Sequence, residues 1–164
     1  MNRNVKIVLD TGPIISLAVI DRLDIFAELF DEIFIPVAVR DELRACNHFR
    51  FHPDIASFLK NRVKKIKSLN ELVLILGKGE SESILLYKEL NADFLVIDDK
   101  KARLIAEEFG INCIGTLALL IKAQKLGLIK KLKPVFESLI ANRRFYSRAV
   151  LNSILVQLNE DVID

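Results

Sequence analysis

Acidic residues follow two apolar segments of this chain directly. Asp10 comes straight after "KIVL", and Asp98 and Asp99 come straight after "FLVI". Such runs of β-branched and aliphatic residues are typical of strands buried on both faces of a parallel sheet. Because the carboxyl ends of parallel strands border the crevice in which ligands bind, we expect these carboxylates to converge there.

Three further acids lie in helical patterns next to those segments. Glu42 lies in the helix predicted after a second strand, and Glu80 and Glu82 begin the helix that precedes the Asp98 strand. Taken singly, an acid at a strand-to-helix junction is usually a helix cap, since the helix dipole favours a negative charge there. Several such acids at equivalent positions favour a shared site instead.

A set of converging carboxylates has a limited chemistry. The acids raise one another's pKa unless a cation neutralises them, and oxygen-only donors without nearby His or Cys favour Mg²⁺ or Mn²⁺ over Zn²⁺. Such a site activates a water molecule and neutralises the charge that develops on a phosphate, and two ions ~3.5–4 Å apart could share these tasks. The acids therefore predict hydrolysis of a phosphodiester.

The elements that position these acids alternate between strand and helix patterns. Strands are predicted over residues 5–9, 32–36, 94–97 and 111–115, and "RVKKIK" fits a short strand or a hairpin arm. Helices are predicted over residues 14–20, 23–30, 37–45, 54–61, 69–76, 80–90, 101–109, 117–126 and 134–142, with a last helix capped by Ser147. The alternation predicts an α/β fold: a parallel sheet of four or five strands with helices on both faces. Residues 1–164 are expected to form one domain.

The composition limits the class of protein. The 164 residues are 51% hydrophobic and 28% charged, which is typical of a packed globule, and a net charge of +2 does not by itself indicate a polyanion binder. Cys46 and Cys113 lack a CxxC spacing, which favours a reducing compartment. No segment reaches ~18 uninterrupted apolar residues, so we expect no membrane span and a cytoplasmic location.

Five segments of the chain resemble motifs of PIN-domain proteins and occur in the same order. They are "IVLDTGPIISLAVIDRLDIF", "IPVAVRDEL", "GKGESESILL", "LVIDDKKAR" and "CIGTLALLIKAQKLGLI". The chain is most similar to a bacterial and archaeal branch of that superfamily related to the VapC ribonuclease toxins. The resemblance implies a PIN-like (Rossmannoid nuclease) architecture and a Mg²⁺- or Mn²⁺-dependent ribonuclease. It also implies the toxin half of a toxin–antitoxin pair, with RNA as substrate and a small antitoxin protein as partner.

Carried over motif by motif, the resemblance implies four catalytic acids that also bind the metal. They are Asp10, Glu42, Glu82 and Asp99, with Asp98 as a further metal ligand. Thr11 and Thr116 resemble hydroxyl positions near such sites and are expected to orient a ligand or a water molecule.

The chain departs from the family pattern at two of these acids. The third acid is Glu82 where many relatives have Asp, and its longer side chain leaves Glu80 as an alternative. The Thr of a Thr-x-Asp pattern is replaced by Ile97, so the sequence does not rank Asp98 against Asp99.

Other stretches allow further interpretations. In "HFRFHP", His48 and His52 are four residues apart, but Pro53 and the missing third ligand argue against a zinc site. The same stretch could contact RNA bases through its aromatic residues and Arg50, or form a loop tucked under its own aromatics. The lysines of "KNRVKKIK" and of residues 130–133 fit either a solvated face or contacts to a phosphate backbone. The "GKGE" stretch lacks the spacing of a P-loop.

Two other functional classes fit parts of the pattern. An aspartyl-phosphate enzyme would also place Asp10 after the first strand, but its phosphatase version needs a second Asp where Gly12 stands. A receiver domain needs a Lys after a late strand, and "IGTLAL" lacks it. A non-catalytic interaction module that keeps the fold is the remaining alternative, and the acids at all four motif positions argue against it.

The assembly can also be predicted from the apolar segments. Residues 14–20 and 23–30 carry more apolar side chains than one core face needs, which predicts an exposed patch. Since such patches usually mark interfaces, and PIN-like relatives commonly pair through helices in their N-terminal half, we expect a homodimer.

Overall fold

The centre of the fold is a parallel sheet. In the computed structural model, which describes residues 4–46 and 52–164, five strands form one sheet in the order β3-β2-β1-β4-β5 with parallel pairings. The strands are β1 (Lys6–Leu9), β2 (Glu32–Pro36), β3 (Val63–Lys64), β4 (Phe94–Val96) and β5 (Cys113–Ile114). The predicted fold class is confirmed. The "RVKKIK" segment supplies the edge strand β3, which runs parallel to β2 and is not a hairpin arm.

Helices connect the strands and cover both faces of the sheet. They are α1 (Thr11–Ala18), α2 (Asp24–Leu29), α3 (Val37–Ala45), α4 (Asp54–Leu59), α5 (Lys78–Leu90), α6 (Lys100–Glu108), α7 (Thr116–Lys125), α8 (Lys133–Ala141) and α9 (Arg148–Gln157). Within the described residues, none of these helices is both long and apolar enough to cross a bilayer.

Three predicted helices begin two or more residues away from their predicted starts, and the first is α1, which begins at Thr11 and not at residue 14. The segment predicted over residues 69–76 forms only a short 3-10 helix, Glu71–Leu74. Each of its four residues is at least partly exposed, so packing does little to stabilise a longer helix. α5 begins at Lys78, two residues before the predicted start, and the glycines of "GKG" therefore lie in its N-cap and first turn.

The central strand β1 is buried on both faces. Ile7 and Leu9 belong to one apolar cluster and Val8 belongs to the other, as the alternation of side chains along a strand requires. The first cluster includes buried residues of α1, α2, α7, α8 and α9, and the second includes residues of α5 and α6. This explains why the segment before Asp10 is apolar without interruption.

The strand order reverses between β1 and β4. The chain passes from β1 to β2 and β3 on one side, and later crosses to β4 and β5 on the other. The N–H of Asp10 donates a 3.0 Å hydrogen bond to the carbonyl of Val96, so the carboxyl ends of β1 and β4 are neighbours. In open α/β sheets, ligands bind at such a reversal.

The first two helices contribute to the core. Residues 13–18 of α1 are buried, and Ile25 and Phe26 of α2 are buried as well. The predicted exposed patch is therefore wrong for α1, because its apolar side chains pack inside the chain's own core. The homodimer inferred from that patch stays a prediction.

Candidate active site

Asp10 lies at the strand-order reversal and is only 6% exposed. Burial, followed by the negative charges of Glu80 and Glu42, raises its pKa from the usual 3.8 to about 7, although hydrogen bonds from the Thr11 N–H and the Ser83 hydroxyl lower it. A carboxyl group in this environment holds a proton close to neutral pH. A neutralising cation would favour its charged form.

Glu42 reaches the same place from α3, the helix that follows β2. Its Oε2 accepts a 2.5 Å hydrogen bond from the Thr11 hydroxyl, and its Oε1 accepts a 2.8 Å bond from the N–H of Gly79. These bonds hold the carboxylate between the residue after Asp10 and the first turn of α5. Thr11 therefore lies beside one of the predicted acids.

The glycines of "GKG" let two carboxylates approach the backbone of α5. A Cβ atom on Gly79 would lie 2.5 Å from each carboxylate oxygen of Glu42, far inside van der Waals contact. The N–H of Gly77 donates to the carboxylate of Glu80, and a Cβ atom there would also collide with that carboxylate. The partial positive charge of the helix N-terminus favours carboxylates at this position. The stretch thus holds Glu42 and Glu80 at the start of α5.

Glu80 is electrostatically linked to the other acids. It is half-buried, and its pKa is raised by burial and by the negative charges of Asp99 and Glu42, against the lowering effects of a backbone N–H and of Lys101. Glu80 and Glu42 also raise the pKa of Asp10, so four acids from different parts of the fold interact electrostatically. We call these four residues, Asp10, Glu42, Glu80 and Asp99, the acid cluster.

Glu82 has different surroundings from Glu80. It is 7% exposed, and its Oε2 accepts a 3.0 Å hydrogen bond from the N–H of Ala38 in the first turn of α3. Two residues along a helix correspond to a rotation of roughly 200°, so the two acids leave α5 on nearly opposite sides. In this arrangement Glu82 joins α5 to the N-terminus of α3.

The two consecutive acids after β4 also make different contacts. Asp99 is the N-cap residue of α6, and its Oδ1 accepts a 2.7 Å hydrogen bond from the N–H of Ala102. Asp98 accepts two hydrogen bonds from Thr116, 2.8 Å from the N–H and 2.7 Å from the hydroxyl, and one of 2.9 Å from the hydroxyl of Tyr146. Thr116, the second hydroxyl position implied by the resemblance, thus contacts Asp98.

Residues near the C-terminal end of the chain complete the surroundings of Asp98. The Tyr146 hydroxyl lies 2.8 Å from that of Ser16, and burial followed by the charge of Asp98 raises the pKa of Tyr146 to about 12. Arg144 donates to the Ser16 hydroxyl at 2.9 Å and to the carbonyl of Gly12 at 3.1 Å. Sequence reasoning missed Arg144 and Tyr146. The available signal was the basic and aromatic stretch "RRFYSR".

The donor set suits a hard divalent cation, since it consists of carboxylate oxygens. In the described ranges 4–46 and 52–164, however, no group of three or more His, Cys, Asp or Glu side chains is arranged to hold a metal ion. Hydrogen bonds hold Glu42 and Asp99 on different helices, and Asp10 and Glu80 have raised pKa values. Side-chain rotation would have to bring the acids together around an ion.

The histidine stretch lies largely outside the described residues. His48, one of the two histidines of the zinc site that the sequence argued against, and Arg50, one of the possible RNA contacts, both lie outside the described residues. His52 is described and lines a cavity of about 470 Å³ together with Arg22, which lies between α1 and α2, and Asp24, the first residue of α2.

Comparison with known protein families gives a result that agrees with this fold and with the acids at the strand-order reversal. A family model described as a PIN domain matches residues 6–160, nearly the whole chain. An all-parallel α/β sheet of this kind is the fold of a family whose members are generally nucleases. The chain belongs to the PIN-domain family. No curated protein matches the chain.

Proposed function

We propose that this protein is a Mg²⁺- or Mn²⁺-dependent ribonuclease that hydrolyses RNA phosphodiesters at the acid cluster. The observation that carries the proposal is the electrostatic linkage of Asp10, Glu42, Glu80 and Asp99 at the strand-order reversal. Bringing these carboxylates close together lowers the stability of the folded state, because they repel one another. Acids that served only as helix caps would not need to lie near one another. A nuclease fold supports the same conclusion.

The acids of the cluster would hold the cation, and the surrounding residues would keep them in place. A bound divalent cation would neutralise the carboxylates, polarise an attacking water molecule and offset charge on the phosphate. Thr11 and Gly79 orient the Glu42 carboxylate by hydrogen bonds. Asp10 would lose its proton when the cation binds, because opposite charge lowers a raised pKa.

Helix α5 carries two acids, Glu80 and Glu82, that are candidates for the metal ligand. The resemblance implies Glu82, whereas the charges acting on Glu80 favour Glu80 as the ligand. Glu82 would then support the site by holding α5 against α3. By the same reasoning Asp99 belongs to the cluster, and Asp98 supports it through Thr116 and Tyr146.

We further propose that the protein is the toxin of a toxin–antitoxin pair, that it forms a homodimer, and that residues 1–164 act as one domain. These parts rest on the resemblance and on family membership. The adjacent reading frame in the genome tests the first of them, because a small DNA-binding protein encoded upstream is the usual companion of such a toxin. Sedimentation at tens of micromolar tests the second.

Cleavage of a mixed RNA pool with Mn²⁺ or Mg²⁺ tests the proposed activity. The wild-type protein should cut the pool, and Asp10→Asn should abolish cutting while leaving RNA binding intact or slightly tighter. Binding survives because RNA affinity comes mainly from cations that contact phosphates. The converse test removes RNA binding and keeps metal binding. It uses Lys64 and Lys65, which are exposed at the carboxyl end of β3. Replacing both by Glu should weaken RNA binding and leave metal binding unchanged.

The competing function is a non-catalytic interaction module with the same fold. It predicts that the wild-type protein cuts no RNA with either metal, and that Asp10→Asn changes RNA binding no more than a surface control such as Lys125→Gln. That result would reject the ribonuclease.

A further inference from the structure

We propose that residues 143–148, here called the arginine–aromatic segment, form a subsite that binds single-stranded RNA beside the acid cluster. The inference rests on the ribonuclease proposed above. It adds the place on the protein where a nucleotide near the cleaved bond is held, and the kind of contact that holds it.

Two anchors tie the segment to the candidate active site. Arg144 donates to the carbonyl of Gly12 in the first turn of α1, and the hydroxyl of Tyr146 donates to Asp98 at 2.9 Å. Both partners lie at the carboxyl ends of the adjacent strands β1 and β4. Phe145 stands between the two anchors, and consecutive Cα atoms are about 3.8 Å apart. Its backbone is therefore fixed beside the cluster.

The ring of Phe145 has no role in the core. The residue is 96% exposed, the highest exposure among the large hydrophobic residues of the described chain. The segment borders a cavity of about 340 Å³, lined by Ile140 together with its own arginine and aromatic residues. An exposed ring with neighbouring guanidinium groups is the combination on which unpaired bases stack and to which phosphates bind.

Arg143 adopts a backbone conformation that normally favours glycine. Its φ is +58°, and it follows α8 at the point where the N–H groups of Arg143 and Arg144 bond back to carbonyls of the last turn. This geometry turns the chain so that Arg144 points towards α1 while Phe145 faces solvent. The Arg143 guanidinium has no hydrogen bond or ion pair within the described chain, whereas that of Arg148 donates to the carbonyl of Asp164.

Charge favours RNA as the occupant of this subsite. An RNA strand is a polyanion and the acid cluster repels it, so a substrate needs cations close to the cluster in order to approach. The whole chain has a net charge of only +2, and such cations must therefore be local. The segment "RRFYSR" contains three arginines and no acid. A protein partner that buries Phe145 is the competing occupant, and the test below separates the two.

The test measures RNA binding in an Asp10→Asn background, which prevents cleavage. The probe is a 5′-fluorescein-labelled single-stranded RNA of mixed sequence, followed by fluorescence anisotropy. Phe145→Ala should raise the Kd about tenfold or more, as loss of one base–aromatic stack does, and Phe145→Trp should preserve the Kd. Arg143→Gly suits the positive φ, so it should fold normally and lower the salt slope of log K by about 0.7, the value for one phosphate contact.

The matched control is Phe109→Ala. Phe109 is also an exposed aromatic, 51% exposed with the ammonium of Lys88 at 4.0 Å from its ring centroid. It lies at the C-terminal end of α6, whereas Asp99 lies at the N-terminal end, so it is remote from the acid cluster. Phe109→Ala should leave the Kd unchanged.

Three results would overturn the subsite. The first is absence of RNA binding by Asp10→Asn, and the second is an effect of Phe145→Ala no larger than that of Phe109→Ala. The third is loss of self-association in sedimentation velocity on Phe145→Ala with RNA binding retained, which would assign the segment to a protein interface. Failure of the proposed ribonuclease activity can be told apart from failure of the subsite. If RNA binding depends on Phe145 but the wild-type protein cuts no RNA with Mn²⁺, the subsite is supported and the ribonuclease is rejected.

Discussion

The Oε1 atom of Glu42 accepts a 2.8 Å hydrogen bond from the N–H of Gly79, at a position where a Cβ atom would lie 2.5 Å from both carboxylate oxygens. The absence of a side chain at residue 79 is therefore what lets α3 present its acid to the start of α5. Because the colliding group is the end of a flexible side chain, a substitution there should move the carboxylate and leave the fold in place.

Gly79→Ala should therefore weaken metal binding at the site and leave the stability of the fold almost unchanged. We expect a change in unfolding free energy within about 1 kcal/mol, since an alanine in a helix offsets part of the strain. Mn²⁺ binding measured by calorimetry should weaken about tenfold or more. Gly12→Ala is the matched control, because a Cβ on Gly12 would meet its neighbours at 3.6–3.7 Å, an ordinary contact. Equal Mn²⁺ affinities for the two variants would contradict the role of Gly79.

The raised pKa of Asp10 should make the metal-free protein less stable as the pH rises. In the unfolded chain Asp10 ionises near 3.8, and in the folded protein near 7. Between these values the folded state binds the extra proton, so its stability falls as the pH rises from about 4 to about 7 and the loss is complete above that. The upper bound of the loss is on the order of 4 kcal/mol, at about 1.4 kcal/mol for each pKa unit.

Urea unfolding in EDTA at pH 4.5 and pH 8 measures this effect. Asp10→Asn removes the titrating group, so it should be more stable than the wild type at pH 8, and this difference should be several-fold smaller at pH 4.5, where only the first part of the loss has occurred. A wild-type advantage at pH 8 in the absence of metal would mean that Asp10 is a stabilising cap and not a desolvated acid.

Replacing Glu80 or Glu82 by Gln should have different effects on the stabilisation of the protein by Mn²⁺. A ligand that binds only the folded state raises the melting temperature, so Mn²⁺ should stabilise the wild type. We expect Glu80→Gln to lose most of this shift and Glu82→Gln to retain it, because the charges of Asp99 and Glu42 act on Glu80, whereas Glu82 leaves α5 on the other side and bonds the N–H of Ala38. Thermal scans with and without Mn²⁺ measure both shifts. Retention by Glu80→Gln with loss by Glu82→Gln would restore the assignment implied by the resemblance.

Tyr146→Phe should weaken the attachment of the C-terminal segment to the site. The variant removes the hydroxyl that bonds Asp98 and Ser16, and leaves both of those groups with fewer partners. Because Thr116 still donates to Asp98 and Arg144 still donates to Ser16, we expect a loss of about 0.5–1.5 kcal/mol in unfolding free energy, the usual net contribution of a hydrogen bond. Tyr87→Phe is the control, since the Tyr87 hydroxyl accepts only a marginal 3.5 Å bond from the N–H of Asn112. Equal unfolding free energies for the two variants would contradict the contribution of the Tyr146 hydroxyl.

The amino-acid sequence by itself determined the sheet and the acids at its carboxyl edge. β1 and β4 are buried on both faces, so their apolar runs are continuous and each ends at a polar residue where the sheet ends. The predicted bounds of β2 and α3 agree with the structure, because Pro36 separates a strand pattern from a helical one. β3 has only two residues, too few for periodicity to show whether it pairs in parallel.

Only the tertiary structure decided how the acids are used. Glu80 and Glu82 have the same charge and nearly the same position in the sequence, and their surroundings differ because α5 packs one side against α3. The contacts of Arg144 and Tyr146 with Gly12 and Ser16 join residues about 130 positions apart. Local sequence patterns record periodicity within an element and do not encode which distant elements meet. Those pairings are decided when the helices pack against the two faces of the sheet.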